Sequence, residues 1–209
     1  MKKAQQTDFW KGEFGDSYVE RNVVAADDRV PFFSRILQRT YGVASVCELG
    51  ANKGHNLQAV GSLSPNFELV GVDVNRRAVE IMAADSRIKS HCSPIQEFDP
   101  RRTFDLVFIC AVLIHIGPQD LPAVYRKLYD LSSRYVLINE YFNPTPMELN
   151  YRGHTEKLFK RDFGGEFWDL FPKQVRLVDY GFVWKRIEPA WDDTTWWLFE
   201  KIPPFSAGK

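Results

Sequence analysis

The stretch that most constrains this chain is Val46-Cys47-Glu48-Leu49-Gly50-Ala51-Asn52-Lys53-Gly54-His55-Asn56. Ala44 to Leu49 reads as a short buried strand and Gly50 to Gly54 as a tight turn. Asn56 onward reads as a helix, with Leu57, Val60 and Leu63 at helical spacing. Glycines let a backbone approach a ligand closely, and a helix start offers N–H groups that lack intrahelical partners. The unit therefore predicts a site for a polar or anionic cofactor. Asp73 gives the turn its meaning. It ends a second apolar run, Leu69-Val70-Gly71-Val72, about twenty residues further on, where a carboxylate can accept bonds from both hydroxyls of a ribose.

Two nucleotide-binding classes do not fit the turn. A dinucleotide fold requires Gly-x-Gly-x-x-Gly, and here Asn52 and His55 stand where the second and third glycines belong. A phosphate loop requires Gly-Lys-Ser/Thr, which is absent. What remains is Glu48-x-Gly50-x-Asn52-x-Gly54 followed by a strand-terminal Asp73. This pattern resembles the first two motifs of class I S-adenosylmethionine-dependent methyltransferases. The resemblance implies that Glu48, Gly50, Asn52, Gly54, Asn56, Asp73 and Val74 line an S-adenosylmethionine site, with Glu48 steadying the turn. Asn52 departs from the usual middle glycine. Asn tolerates a left-handed backbone, so the turn is expected to survive.

The 209 residues suffice for one α/β domain, and 27 basic against 27 acidic residues leave no charge footprint for nucleic acid. Cys47, Cys92 and Cys110 lie in apolar, strand-like contexts without a Cys-x-x-Cys, so neither a disulfide frame nor a metal site is indicated. No apolar run is long enough to span a membrane, and the Met-Lys-Lys start lacks a signal core. A soluble, cytoplasmic chain is expected; nothing in the sequence speaks to its oligomeric state. Aromatic residues reach 14%, which fits either core filling or an aromatic-walled pocket.

From residue 44 to 142 apolar strands alternate with amphipathic helices, which predicts a parallel, doubly wound, Rossmann-like sheet. The expected strands are 44–49, 68–73, 88–92, 103–111 and 135–142, followed by two more at 175–183 and 194–201. Helices are expected over 27–41, from residue 56 to about 62, from 75, over 118–131 and near 166–171, the first capped by Asp27 or Asp28 and stopped by Gly42. Residues 1–26 read as a segment covering the cofactor. Trp10, Phe14, Tyr18 and Arg21 recur at spacings of four and three, so they can share a face, while Gly12 and Gly15 argue against one long helix. Tyr18 and Arg21 could hold the methionine carboxylate. The main domain is placed at 27–202 and a tail at 203–209. Residues 143–163 are too long and polar for a routine connection and leave from the carboxyl edge of the fifth strand, so they read as an acceptor-binding insertion.

Further stretches narrow the likeness: Phe9 to Asn22; Val112-Leu113-Ile114-His115-Ile116; Glu140-Tyr141-Phe142-Asn143-Pro144; Tyr151-Arg152-Gly153-His154, leading to Leu158 through Phe163; and Val178-Asp179-Tyr180-Gly181-Phe182. Together they resemble the methylases associated with pseudaminic acid biosynthesis clusters. The resemblance implies a seven-stranded methyltransferase sheet with an antiparallel last strand. It also implies an adenine contact at Ser93, with the next backbone contact shifted from Pro94, which has no N–H, to Ile95. Cys110, Ala111 and His115 then fall beside the methionine end, and Trp10 joins the cover.

Methyl transfer from a sulfonium is an in-line displacement, so a base is needed only if the acceptor must lose a proton. His115, Glu140 and His154 are the candidates, with Tyr151 beside the acceptor. Each also has a structural reading: a histidine bonded to the cofactor's backbone end, a loop-fixing carboxylate, and a solvated loop histidine. Phe14, Asn22, Tyr141, Asn143, Arg152, Lys160, Arg161 and Trp191 are the candidate acceptor contacts. The four cationic or imidazole groups Arg152, His154, Lys160 and Arg161 point to a small anionic metabolite, such as an acidic amino sugar. A catalytically silent S-adenosylmethionine binder and a nucleotide-sugar enzyme on the same sheet remain as alternatives.

Overall fold

The computed structural model describes residues 3–151 and 154–203, with side chains placed for residues 7–149 and 158–203. Seven strands form one sheet: β1 (Ser45–Leu49), β2 (Glu68–Asp73), β3 (Ile88–Cys92), β4 (Phe104–Cys110), β5 (Ser132–Glu140), β8 (Val175–Val183) and β9 (Thr194–Lys201). Their order is β3-β2-β1-β4-β5-β9-β8. The pairs β1–β2, β1–β4, β2–β3 and β4–β5 are parallel, while β9 runs antiparallel to both β5 and β8. This is the expected doubly wound sheet, and the connection reverses direction between β1 and β4.

Burial explains the continuous apolar strands. One face is covered by α3 (Val30–Leu37), α4 (His55–Leu63) and α5 (Arg76–Met82), which bring Phe32, Phe33, Ile36, Leu57, Val60 and Met82 against Val46, Leu106, Phe108, Leu137 and Leu198. The other face is covered by α6 (Leu121–Leu131) and α7 (Phe163–Leu170), with Val124, Leu128, Phe163 and Phe167 against Val107, Ile109, Val136 and Phe199. Strands buried on both faces need apolar side chains at successive positions, not at alternate ones.

Three local expectations are corrected. Residues 27–41 do not make one helix: a 3-10 turn over Asp27–Arg29 leads into α3, and neither Asp27 nor Asp28 supplies a side-chain cap. Pro31 in the first turn of α3 sets its start, since its missing N–H would have no helical partner there. The helix then closes through tight turns at Arg39 and Thr40 before Gly42, whose φ is +69°. The insertion at 143–163, for which no strands were expected, has secondary structure of its own. It holds an antiparallel hairpin of β6 (Met147–Tyr151) and β7 (His154–Lys160), which stands outside the main sheet. Among the described residues no helix is long and apolar enough to cross a membrane.

The N-terminal segment is two helices, α1 (Lys3–Lys11) and α2 (Glu13–Arg21), broken at Gly12 as the glycines predict. Gly15 is there for proximity: a Cβ on it would lie 1.9 Å from the Trp10 carbonyl oxygen and 2.9 Å from the Asn75 amide nitrogen. Asn75 clasps the segment. Its amide donates to the Trp10 carbonyl at 3.1 Å and to Asp16 Oδ1 at 2.8 Å, while its own oxygen caps α5 by accepting from Ala78 N–H. Gly15→Ala should therefore push α2 off its seat and leave the sheet intact. Limited proteolysis should cleave the variant several-fold faster within residues 7–22 at an unchanged circular dichroism spectrum; equal cleavage rates would show that the close approach is not what holds the segment.

Candidate active site

A cavity of about 840 Å³ opens at the carboxyl ends of β1, β2, β4 and β5, and extends to the start of β9. α2 lies over one side and the loop 184–193 over the other. Its floor begins at the glycine turn. Gly50, Asn52 and Gly54 have φ of +78°, +48° and +80°, so the asparagine takes the left-handed conformation expected of it. Gly50 and Ala51 both donate to the Val72 carbonyl, at 2.8 and 2.9 Å, which bends the turn back over β2.

Asp73 secures the turn from the side. Its Oδ2 accepts from Asn52 N–H at 2.7 Å and its Oδ1 from Asn75 N–H at 2.8 Å. An ionised carboxylate has about four lone-pair sites, so two stay available toward the cavity that Asp73 lines. Burial raises its pKa, against the backbone N–H groups of Asn75, Asn52 and Val74 that pull it down. Beyond Asp73, Val74, Ile95 and Gln96 line the wall. Ser93 and Pro94 do not. The Ser93 hydroxyl donates to the Pro94 carbonyl at 3.1 Å, and that carbonyl also accepts from Glu97 and Phe98 N–H. Of the three residues expected here, Ser93, Pro94 and Ile95, the cavity is lined by Ile95, with Gln96 beside it.

Glu48 is buried at the end of β1. Asn56 donates to its Oε1 at 2.7 Å and its Oε2 has no partner within the protein. Burial lifts its pKa to about 8, against the Asn56 bond and the charge of Arg29. Arg29 lies 3.7 Å above the Trp191 ring with its Nε unpaired, a cation held by an aromatic face and not by a carboxylate. Arg29 was not a predicted site residue; its sequence position read as a helix start.

Glu140 does not reach the cavity. It is fully buried, and its Oε1 accepts from Val112 and Leu113 N–H, each at 2.7 Å. It shapes the turn after β4, where Ala111 takes a φ of +54°, and it is not placed to take a proton from an acceptor. That turn carries His115 to the cavity wall, with its ring 4.5 Å from that of Trp10. Cys110 and Ala111 line the same wall.

The shared face of the cover is present. Trp10 meets Phe14 at 5.5 Å and Tyr18 at 5.4 Å, and the Arg21 guanidinium lies 5.0 Å from the Phe14 ring and 5.3 Å from that of Tyr18. Trp10, Tyr18, Arg21 and Asn22 line the cavity; Phe14 instead stacks on Phe9 at 4.2 Å.

Of the acceptor candidates, Tyr141 and Trp191 line the cavity. Asn143 turns its amide to the Thr145 carbonyl. Lys160 sits over the Tyr141 ring at 5.2 Å. Arg161 is not free for an anion: it pairs with Glu166 at 2.6 Å, whose other oxygen accepts from Tyr125. The side chains of Tyr151 and His154, and Arg152 altogether, lie outside the described residues. Asn139, Lys185, Asp192 and Thr194 line the cavity without having been predicted. Tyr141 donates to Asp192, and Lys185 Nζ donates to Asp192 Oδ1 at 2.7 Å.

A family profile described as a methyltransferase domain matches residues 47–134, from β1 to the first residues of β5. The whole chain has the corresponding fold. The magnesium protoporphyrin IX methyltransferase ChlM of Synechocystis PCC 6803, crystallised with S-adenosylhomocysteine, superposes with a TM-score of 0.69 at 12% identity, covering 97% of this chain and 100% of that one. The glycopeptide N-methyltransferase MtfA, also with S-adenosylhomocysteine, gives 0.63 at 13% identity over 86% of this chain and 90% of its own. An S-adenosylmethionine-dependent methyltransferase of Clostridium acetobutylicum ATCC 824 gives 0.63 at 14% identity over 90% and 97%. No curated protein matches the chain.

The two carboxyls raised to about 8, Glu48 and Glu140, set a pH signature for the fold. A folded-state pKa above the unfolded value means that the native state binds the proton more tightly. Its contribution is complete below the ordinary glutamate range and is lost as pH rises toward 8. Glu140→Gln keeps an acceptor for Val112 and Leu113 and removes the titration. Its melting temperature should fall less between pH 5.5 and 8.0 than that of the unmodified protein; parallel curves would show that Glu140 is ionised throughout.

Proposed function

We propose that the chain transfers the methyl group of S-adenosylmethionine to a small polar acceptor inside this cavity. The observation that carries the reading is the Asp73 carboxylate, braced by Asn52 and Asn75 N–H with lone pairs left over at the cavity wall. The relatives crystallised with S-adenosylhomocysteine on the same sheet support it. When bound, S-adenosylmethionine supplies a methyl activated on a sulfonium. The chain's own residues then bind, align and exclude water. Asp73 takes the ribose, and Ile95 and Gln96 flank the adenine. Glu48 and Arg29, each with an unpaired polar atom, suit the amino and carboxylate groups of the methionine part. Trp10, Tyr18 and Arg21 close over it and keep water from the reacting centre.

A cavity of about 840 Å³ suits a cofactor with a small molecule and not a folded partner. His115 is the base candidate that the described residues place on the cavity wall. The anionic character of the acceptor loses Arg161 as support, because Glu166 already neutralises it. The likeness to methylases of pseudaminic acid clusters supports a sugar-derived acceptor. An enzyme is favoured over a silent binder because the cavity continues past the cofactor residues to Tyr141, Trp191 and Asp192.

Calorimetry should show S-adenosylhomocysteine binding in the micromolar range, about −8 kcal/mol. Asp73→Ala should lose two bonds to a charged group, about 3 kcal/mol or a hundredfold in affinity. Asp73→Asn should lose less, because it retains an acceptor. Deleting residues 1–22 should leave a folded sheet with weakened binding and no turnover. Full affinity in Asp73→Ala would sink the assignment of the ribose to this edge.

A further inference from the structure

A diagonal of polar side chains crosses four strands on one face of the sheet, and the cofactor reading uses one end of it. Glu48 on β1 pairs in register with Phe108 on β4, two residues before Cys110. Cys110 pairs with Asn139 on β5, and Asn139 with Trp196 on β9, two residues after Thr194. Side chains paired across strands, or two apart along one, share a face. Glu48, Cys110, Asn139 and Thr194 therefore share one face as a diagonal that climbs toward the carboxyl edge: Glu48 lies in the row of the apolar Phe108, Leu137 and Leu198, Cys110 and Asn139 lie in the next row with Trp196, and Thr194 lies one step beyond. At the far end three polar atoms have no partner within the protein: Asn139 Oδ1, Thr194 Oγ1 and Trp191 Nε1. Their residues are 1%, 3% and 4% exposed, and all three line the cavity. Nearly all buried polar groups are hydrogen-bonded in folded proteins, so three orphans on one wall call for a ligand.

On the reading that the chain is a methyltransferase, we infer that Asn139, Trp191 and Thr194 form the acceptor subsite, and that they recognise a neutral hydroxyl- or amine-bearing group. The chemistry of the wall decides the class. The amide oxygen accepts, the indole N–H donates and the threonine hydroxyl does either. A hydroxyl or neutral amine donates and accepts at once and so matches all three; a carboxylate donates to none and would face the amide oxygen. The nearby charges are taken up elsewhere, since Asp192 takes Tyr141 and Lys185, and Arg29 is assigned to the carboxylate of the methionine part. The position is also right. Asp73 lies on β2, and β1 and β4 separate it from β5 and β9. A ligand spanning from Asp73 to the turn after β4 leaves the Asn139–Thr194 end for a second molecule.

The test uses the full chain and the shape-conserving variants Thr194→Val and Asn139→Leu. Thr194 Oγ1 and Asn139 Oδ1 have no partner in the protein, and Asn139→Leu gives up besides them only the contact of its amide with the Cys110 thiol, so both variants should melt within a degree or two of the parent and bind S-adenosylhomocysteine within twofold of it. The protein saturated with S-adenosylhomocysteine is then titrated with glycerol, ethanolamine and acetate, following the Trp191 indole N–H signal, assigned through Trp191→Phe. Glycerol or ethanolamine should shift that signal, acetate should not, and either variant should weaken the response at least tenfold. The inference is overturned if acetate shifts the signal as strongly, if neither hydroxyl nor amine probe moves it, or if the variants unfold several degrees earlier. Failure of the parent to bind S-adenosylhomocysteine would instead overturn the methyltransferase reading beneath it.

Discussion

The site depends on one carboxylate bound by two backbone N–H groups. Asp73 ends β2, and its oxygens reach Asn52 in the glycine turn and Asn75 at the start of α5. Each bond is charge-assisted, of a kind about twice as strong as a neutral one. Without it the turn would rest on its bonds to the Val72 carbonyl, and the left-handed Asn52 would lose the acceptor that fixes its N–H. The group that suits a ribose is thus also the group that shapes the floor beneath it. An alanine there removes both functions together, which is why the amide variant is the more informative of the two.

Two further carboxyls show how the same chemistry is put to different uses by placement. Glu48 and Glu140 both end strands, both are buried and both are pushed to about 8. Glu140 spends one oxygen on two N–H groups of the turn after β4 and never meets the cavity. Glu48 takes one amide and lines the cavity; the second oxygen of each carboxyl has no partner within the protein. Placement at the cavity, not acidity, separates the scaffold carboxyl from the one proposed to bind.

Most of the fold was legible because its signals are local. β2, β3, β8 and β9 lie at the residues where the apolar runs place them, and the glycine turn has the backbone its residues allow. The cofactor edge was legible for the same reason, since Gly50, Asn52 and Asp73 are fixed by spacing along the chain. The far end of the cavity was not. Asn139 and Thr194 meet only through the β5–β9 register, and Arg29 meets that end only through Trp191, which packs on Phe32 at 4.6 Å between rings. No periodicity marks such a meeting. Glu140 misled because a carboxylate at a strand end looks the same in sequence whether it faces a cavity or a turn. Arg161 misled because its partner, Glu166, lies one helical turn inside α7.

The N-terminal helices are tied into this arrangement through Asn75. Its backbone N–H is held by Asp73, its side-chain oxygen caps α5, and its amide holds the Trp10 carbonyl and Asp16. Asn75 is 4% exposed, so these bonds are shielded from water and compete little with it. A ligand hydroxyl bound to Asp73 would therefore act on a carboxylate whose other bond positions the residue that seats the cover. The aromatic face of Trp10 and Tyr18 then lies across the cavity from the glycine turn, and Trp10 meets His115. Floor, cover and the wall that carries His115 are joined by short polar links around one buried asparagine. The edge proposed for the ribose and the cover proposed to exclude water thus rest on the same packing.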